Sequence, residues 1–173
     1  MKKTWLVPAA NSARASHSAP VIGAGFDRLD PAFWDRILAT NLTGPFRCTR
    51  AAAAALREAG GAVVTTASIA GFDSAGSSLA YGASKAAVVN MTKNLARALA
   101  PTVRVNAVAP GLVLSPWTST WPEERIRQSS EKALLKRACR PEDIADTIVY
   151  LLTRAPMITG QTIIVDGGLT LAG

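Results

Sequence analysis

Tyr81 and Lys85 are four residues apart in the segment Tyr81-Gly82-Ala83-Ser84-Lys85. The stretch from Leu79 to Leu99 is rich in Ala, Leu, Val and Lys and lacks Pro, which predicts a helix with both side chains on one face. An ammonium group beside a phenol favours the phenolate, so Lys85 should lower the pKa of Tyr81 from about 10 toward working pH. General acid–base chemistry needs such tuning. Taken alone, however, such a pair is more often a surface contact on a helix.

Ser68 closes a segment with the pattern of a buried strand. Residues 61–68 begin with glycine, continue with β-branched residues and lead into Ser-Ile-Ala-Gly, which predicts a strand entering a loop. In open α/β sheets, functional groups collect beyond the carboxyl ends of the strands. A strand end at Ser68 followed by a helix with Tyr81 and Lys85 therefore favours a catalytic site over an ordinary loop serine.

Asn41 lies in a predicted helix that contains a proline. Asp30 is a suitable N-cap and Pro31 a suitable first residue, and the helix should continue to about Arg57. Pro45 has no amide hydrogen and crowds the carbonyl group of Asn41, so we expect a kink that leaves this carbonyl free to bind water. The alternative is that Asn41 is simply a polar helix residue.

The rest of the pattern predicts alternating strands and helices. Strands are expected at Val103–Val108 and Gln161–Val165, with a turn at Ala109-Pro110-Gly111 after the first. Helices should begin at Glu123 and at Pro141. Residues 11–27 are rich in Ser, Ala and Gly without periodicity, which predicts a flexible loop.

Several motifs follow one another along the chain. They are Thr40-Asn41-Leu42-Thr43-Gly44, Ser68, Tyr81 with Lys85, Arg104-Val105-Asn106-Ala107-Val108-Ala109-Pro110-Gly111, Arg140-Pro141-Glu142-Asp143-Ile144-Ala145, Ile158-Thr159-Gly160-Gln161 and Val165-Asp166-Gly167-Gly168. In this order and spacing they resemble the short-chain dehydrogenase/reductase family over roughly residues 28 to 173. The resemblance implies an α/β fold with a Rossmann-like doubly wound parallel sheet, of which this chain holds strands 4 to 7 of the family.

The resemblance implies hydride transfer between NAD or NADP and a small-molecule carbonyl/alcohol pair. Tyr81 would exchange a proton with the substrate oxygen, and Ser68 would hydrogen-bond that oxygen. Lys85 would lower the pKa of Tyr81 and bind the cofactor ribose. Asn41 would hold a water that passes protons to Lys85, which completes a catalytic tetrad.

Further cofactor contacts are implied at the end of the strand that begins near Val103. Pro110 and Gly111 would lie against the nicotinamide, and Val113 would offer backbone contacts to its carboxamide. Ser115 stands where the family commonly has Thr.

Residues 112–138 correspond to the family's substrate lid. Trp117 and Trp121 would either line an apolar substrate pocket or merely pack the lid. The family often has glycine where this chain has Lys136 and Cys139.

The first half of the family pattern is missing from this sequence. There is no TGxxxGxG turn to receive the cofactor pyrophosphate, and Gly23-Ala24-Gly25 precedes no suitable helix, so we interpret it as a loop. Residues 6–11 resemble a degenerate remnant of the family's fourth strand and the turn after it. We therefore expect one partial domain over residues 1–173, with catalysis by this stretch alone impaired or absent.

The missing half leaves three interpretations open. In the first, the protein is an oxidoreductase whose gene start was placed too late or whose first half was lost from the sequence. In the second, the chain is a fragment that folds without catalysing. In the third, it is an oligomerising scaffold protein. The residues that separate NAD from NADP normally follow the second strand, so that choice stays open, as does the substrate.

Composition narrows the class of protein. With 173 residues and 49% apolar residues, the chain can bury the core of one globular domain, and no apolar stretch approaches the length of a membrane span. The net charge is +7, but the basic residues are scattered, and the group at 132–140 is better explained as a solvated face than as a nucleic-acid site.

Cysteine and histidine usage favours a cytoplasmic protein without a metal. Cys48 and Cys139 have neither disulfide-framework nor zinc spacing, and His17 has no second histidine near it. The family resemblance implies a homo-oligomer, either a dimer or a tetramer.

Overall fold

A computed structural model describes residues 4–8, 30–73 and 78–172 of the chain. Within them, four parallel strands form one sheet in the order β1-β2-β3-β4. The strands are β1 (Trp5–Leu6), β2 (Ala62–Thr66), β3 (Arg104–Pro110) and β4 (Thr162–Val165). This confirms the predicted Rossmann-like α/β class and the contiguous block of strands. The predicted loop 11–27, which includes His17 and Gly23-Ala24-Gly25, lies outside the described residues.

Five α-helices in the described ranges connect and cover the strands. They are α1 (Pro31–Leu38), α2 (Gly44–Ala59), α3 (Leu79–Leu99), α4 (Glu123–Lys132) and α5 (Pro141–Thr153). Their beginnings follow the sequence signals: the Asp30 carboxylate accepts the N–H of Ala32, and the Ser78 hydroxyl accepts the N–H of Tyr81. None of the helices in these ranges has the length and hydropathy that crossing a membrane requires.

Both faces of the sheet are covered by helices. Val64 of β2 packs in a cluster with Leu151 of α5 on one face. On the other face, Val63 packs with Leu56 of α2 and Ala96 of α3. Because side chains alternate along a strand, the run of β-branched residues in β2 supplies a core on each side.

The predicted kink near Pro45 takes the form of a widened turn. A π-helical segment, Ala39–Thr43, joins α1 to α2, and the Gly44 N–H donates to the carbonyl five residues earlier, that of Ala39. Pro45 cannot supply the N–H that a regular helix would offer to the Asn41 carbonyl. The π-helical segment lies where the sequence predicted an irregularity, and the sequence did not indicate its helical type.

One predicted turn is wrong in its boundary, because Ala109 and Pro110 belong to β3. Pro110 is paired with Val165 of β4, and the next N–H, that of Gly111, donates to the Val165 carbonyl at 3.0 Å. Alternate N–H groups of a strand point to opposite neighbours, so the position of Pro110 faces the β2 side, where β2 has already ended. A proline without an N–H costs no ladder bond there.

Arg104, at the start of β3, holds the end of α5. Its Nη1 donates to the Leu151 carbonyl at 2.7 Å and its Nη2 to the Leu152 carbonyl at 2.8 Å. These carbonyls lie in the last turn of α5, where the helix itself supplies few donors. The Arg104 guanidinium therefore joins β3 to α5, the helix that packs on one face of the sheet.

Replacing Arg104 with Met should lower the free energy of unfolding by about 2–3 kcal/mol, since two charge-assisted bonds to backbone carbonyls are lost. Urea unfolding measures this loss. Arg97→Met, which changes an exposed arginine of α3, is the matched control and should change stability by less than about 0.5 kcal/mol. Equal effects of the two substitutions would contradict the role of Arg104.

Candidate active site

A cavity of about 230 Å³ opens where β2 and β3 end and α3 begins. All the predicted site residues except Asn41 line it. They are Ser68, Tyr81, Lys85, Pro110, Gly111, Val113, Ser115, Trp117 and Trp121. The parallel strands bring these residues together because their carboxyl ends meet at one edge of the sheet.

Ser68 and Tyr81 lie on the same cavity wall, and the Ser68 hydroxyl is a hydrogen-bonding influence that lowers the pKa of Tyr81. The Ser68 hydroxyl oxygen also accepts the N–H of Ala70 at 3.2 Å, which caps a short 3-10 turn, Ile69–Gly71. That bond fixes the serine oxygen while leaving its hydrogen available for the phenol oxygen. The two hydroxyl groups are thus placed to contact one substrate oxygen together.

Lys85 is buried, with only 3% of the residue exposed. Its Nζ donates to the Thr66 carbonyl at 2.9 Å and lies 5.5 Å from the centre of the Tyr81 ring. Burial disfavours the ammonium form and lowers the pKa of Lys85 to about 8. The Thr66 carbonyl at the end of β2 therefore fixes the position of the Lys85 ammonium. Keeping this group charged in the folded protein costs desolvation free energy.

The expected lowering of the Tyr81 pKa is wrong for this structure. Burial of the phenol is the largest influence and raises the pKa of Tyr81, while the hydrogen bond with Ser68 opposes that change without outweighing it. The pairing of Tyr81 with Lys85 on one helix face is correct. The sequence could not show how completely their environment excludes water. As described, Tyr81 is a protonated phenol near neutral pH, able to donate a proton.

Asn41 lies outside the cavity and is fully buried, with 0% of its surface exposed. Its Nδ2 donates to the Ser84 hydroxyl at 3.0 Å, and that hydroxyl donates to the Tyr81 carbonyl at 2.7 Å. The Oδ1 atom of Asn41 has no hydrogen-bond partner among the described residues. Buried polar atoms are seldom left unpaired, so this oxygen is suited to a water molecule.

Sequence reasoning missed Ser84, although it stands within the Tyr81–Lys85 segment. Its buried hydroxyl joins Asn41 to the helix turn that carries Tyr81. A serine three residues after Tyr81 can reach the Tyr81 carbonyl from the same helix face, and that spacing was the available signal.

Thr118 was also missed, and it fixes the loop after β3. Its buried hydroxyl accepts the Ser115 N–H at 2.8 Å and donates to the Val113 carbonyl at 2.9 Å. Val113 is also held by a parallel bridge to Cys139. The Ser-x-x-Thr spacing was the signal for this turn.

Trp117 and Trp121 both line the cavity and pack on each other. Their ring centres are 4.9 Å apart in an edge-to-face arrangement, and the Arg125 guanidinium carbon lies 3.9 Å from the centre of the Trp121 ring. The sequence left open whether these rings line a pocket or pack the loop, and the structure shows both.

The cavity suits the nicotinamide end of a dinucleotide. A buried ammonium and a phenol can donate to ribose hydroxyls, and the loop at Val113 offers backbone groups to a carboxamide. At Gly111, an added Cβ would lie 2.7 Å from the Cβ of Asp166, so only glycine fits this part of the wall. The volume is below the usual range for an enclosed drug-sized ligand, so it does not enclose a whole dinucleotide.

Comparisons with known proteins identify the relatives of this chain. A family model described as Enoyl-(Acyl carrier protein) reductase matches residues 9–170. The granaticin polyketide synthase putative ketoacyl reductase 2 of Streptomyces violaceoruber is 42% identical over 147 residues, which cover 82% of this chain and 57% of that protein. The short-chain dehydrogenase/reductase homolog YusR of Bacillus subtilis (strain 168) is 41% identical over 133 residues, which cover 75% of this chain and 100% of that protein.

Among solved structures, a 3-oxoacyl-(acyl-carrier protein) reductase with bound NAD from Brucella melitensis is similar to this chain, with a TM-score of 0.79 and 32% identity. The match covers 95% of this chain and 61% of that one. The chain thus spans little more than half the length of the ketoacyl reductase 2 relative, but matches YusR over its full length. The family model covers most of the described residues. The chain belongs to the short-chain dehydrogenase/reductase family of NAD(P)-dependent oxidoreductases.

Proposed function

We propose that this chain carries the proton-transfer and nicotinamide-binding part of an oxidoreductase that interconverts a carbonyl compound and its alcohol. The observation that carries the proposal is the convergence of Ser68, Tyr81 and the buried Lys85 ammonium on the wall of one cavity. A protonated phenol, a second hydroxyl and a fixed positive charge suit proton donation to an oxygen that becomes negative.

In the reduction direction, the NAD or NADP group supplies the hydride when it is bound. Tyr81 Oη donates its proton to the substrate oxygen, and the Ser68 hydroxyl hydrogen-bonds the same oxygen as charge develops. The Lys85 ammonium stabilises the resulting tyrosinate, binds the ribose hydroxyls and returns a proton to Tyr81. In oxidation, the same steps run in reverse.

Asn41 supports this relay by position. Its unpaired, buried Oδ1 is suited to holding a water, from which a proton can pass toward Lys85. Its Nδ2 bond to Ser84 ties that oxygen to the turn of α3 that carries Tyr81. We therefore propose that Asn41, Ser68, Tyr81 and Lys85 act as a tetrad.

The remaining site residues hold the reactants in place. We propose that Pro110, Gly111, Val113 and Ser115 contact the nicotinamide, and that residues 112–138 cover the substrate with Trp117 and Trp121. The names of the similar proteins favour a 3-oxoacyl thioester as one substrate class to test. Turnover by this 173-residue stretch should be slow, because its sequence contains no glycine-rich turn to bind the pyrophosphate.

Two further properties are proposed on separate grounds. Met157 and Leu171 are large apolar residues with 93% and 78% of their surfaces exposed, which supports a homo-oligomer. Both described cysteines are free thiols, which supports a cytoplasmic location.

Transfer of deuterium tests the proposed reaction. The purified chain is incubated with a carbonyl panel that includes an acetoacetyl thioester, and with NADH or NADPH that carries deuterium at the transferred position. Mass spectrometry should detect alcohol that contains deuterium, at a rate that Ser68→Ala lowers by about 10²-fold. If a folded chain at high cofactor concentration transfers none to any carbonyl, the proposal fails and the scaffold alternative gains support.

A further inference from the structure

Arg125 lies beside the proposed reaction centre but has no part in the relay. It lines a second recess, of about 140 Å³, together with Ser129, which is one turn later on α4. Ser68 and Tyr81 line the same recess. A substrate whose carbonyl oxygen contacts these two hydroxyls would therefore extend toward the Arg125 guanidinium.

The charge of Arg125 has no counter-ion in the described part of the chain. Arg127, two residues along the same helix, is paired with Glu124 and Glu131 at 2.7 Å each. Among the residues that the structure describes, Arg125 forms no such pair, and none of those lining the recess is acidic. An unpaired cation in a recess that is otherwise apolar or neutral attracts an anionic group.

The guanidinium is also held in position. It lies 3.9 Å from the centre of the Trp121 ring, and the Trp117 ring supports Trp121 from its edge. Stacking occupies a guanidinium face and leaves its N–H groups free to bind a planar oxyanion at two points.

We propose that the substrate is an oxo acid whose carboxylate, remote from the reacting carbonyl, is bound by Arg125 with the Ser129 hydroxyl beside it. The two oxygens of a carboxylate can accept two parallel N–H bonds from a guanidinium. The small volume of the recess suits an oxo acid with a short carbon chain. This inference rests on the proposed function for the identity of the reacting carbonyl. The binding of the anionic group itself is a separate property.

Binding without cofactor tests the inference on the full chain. Tryptophan fluorescence is followed during titration with 4-oxopentanoate and with 4-oxopentanamide, a neutral ligand of nearly the same shape. The wild-type protein should bind the acid at least about tenfold more tightly than the amide, because charge-assisted bonds to the carboxylate are stronger. Arg125→Gln should remove this preference, and Arg125→Lys should retain part of it.

Arg127→Gln is the matched control on the same helix and should leave the acid preference unchanged. Equal binding of acid and amide by the wild type, no binding of the acid, or a preference that survives in Arg125→Gln would overturn the inference. If Arg125→Gln loses the preference while deuterium transfer fails with every carbonyl, the anion site stands and the proposed function fails. If deuterium transfer proceeds but the wild-type protein shows no preference for the acid, the proposed function stands and the anion site fails.

Discussion

Replacing Tyr81 with Phe is expected to lower kcat for carbonyl reduction by at least about 10²-fold, because the lost hydroxyl is the proposed proton donor. The ring stays in place and Lys85 still contacts the ribose hydroxyls, so the apparent affinity for NADH or NADPH should fall much less than kcat. Steady-state rates at saturating cofactor separate the two effects, since a loss confined to kcat indicates an interaction made in the transition state.

The control for this substitution is the other tyrosine of the chain, Tyr150 on α5. It is 47% exposed, and Tyr150→Phe should leave kcat within about twofold of the wild-type value. If Tyr81→Phe also stayed within twofold, the proton would come from elsewhere. The Ser68–Tyr81 pair would then have only a structural role.

Replacing Lys85 with Met is expected to increase stability at neutral pH while weakening cofactor binding. The folded protein holds a buried ammonium whose pKa is lowered to about 8, so folding below that pH includes the cost of desolvating the charge. Methionine has a similar length and no charge, and buried charges replaced by apolar groups often raise stability. We expect a gain of about 1–3 kcal/mol in urea unfolding at pH 6.5, offset in part by the lost bond to the Thr66 carbonyl.

The gain should depend on pH in a defined direction. The unfolded chain keeps the Lys85 proton up to the usual pKa of 10.5, while the folded chain releases it near 8. Between these values the unfolded state binds more protons, so the wild-type protein gains stability as pH rises. The advantage of Lys85→Met should therefore be fully present below pH 8 and shrink above it.

Lys93→Met, at an exposed position of α3, controls for helix propensity and should show no such pH dependence. A Lys85→Met protein that was less stable than wild type at pH 6.5 would show that the ammonium is stabilised by contacts that outweigh its desolvation. An advantage that stayed constant from pH 6.5 to 9.5 would contradict the lowered pKa.

The sequence predicted α3 to the residue because a long run of helix formers and the absence of Pro indicate the same element. It also predicted that Ser68, Tyr81 and Lys85 converge, since local patterns mark the strand ends and the family resemblance implies the strand order. These features depend on signals within a few residues, so they can be found without coordinates.

Properties that depend on neighbours distant in sequence were harder to predict. The end of β3 at Pro110 depends on where β2 stops, and the direction of the Tyr81 pKa depends on how completely the cavity excludes water. The link from Asn41 to Ser84 joins residues 43 positions apart. No local sequence pattern predicts a contact between residues so far apart, although an amide and a hydroxyl are both suited to hydrogen bonding.

The measurement that tests the central claim most directly is saturation-transfer NMR of the purified chain with reduced nicotinamide mononucleotide and with NADPH. The account predicts the strongest transfer to the nicotinamide protons and to those of the adjoining ribose, because Lys85, Tyr81 and the Val113 loop form that part of the cavity. Lys85→Met should reduce the transfer and Lys93→Met should not. Transfer confined to adenine protons, or equal in the Lys85→Met protein, would contradict a nicotinamide site beside Tyr81.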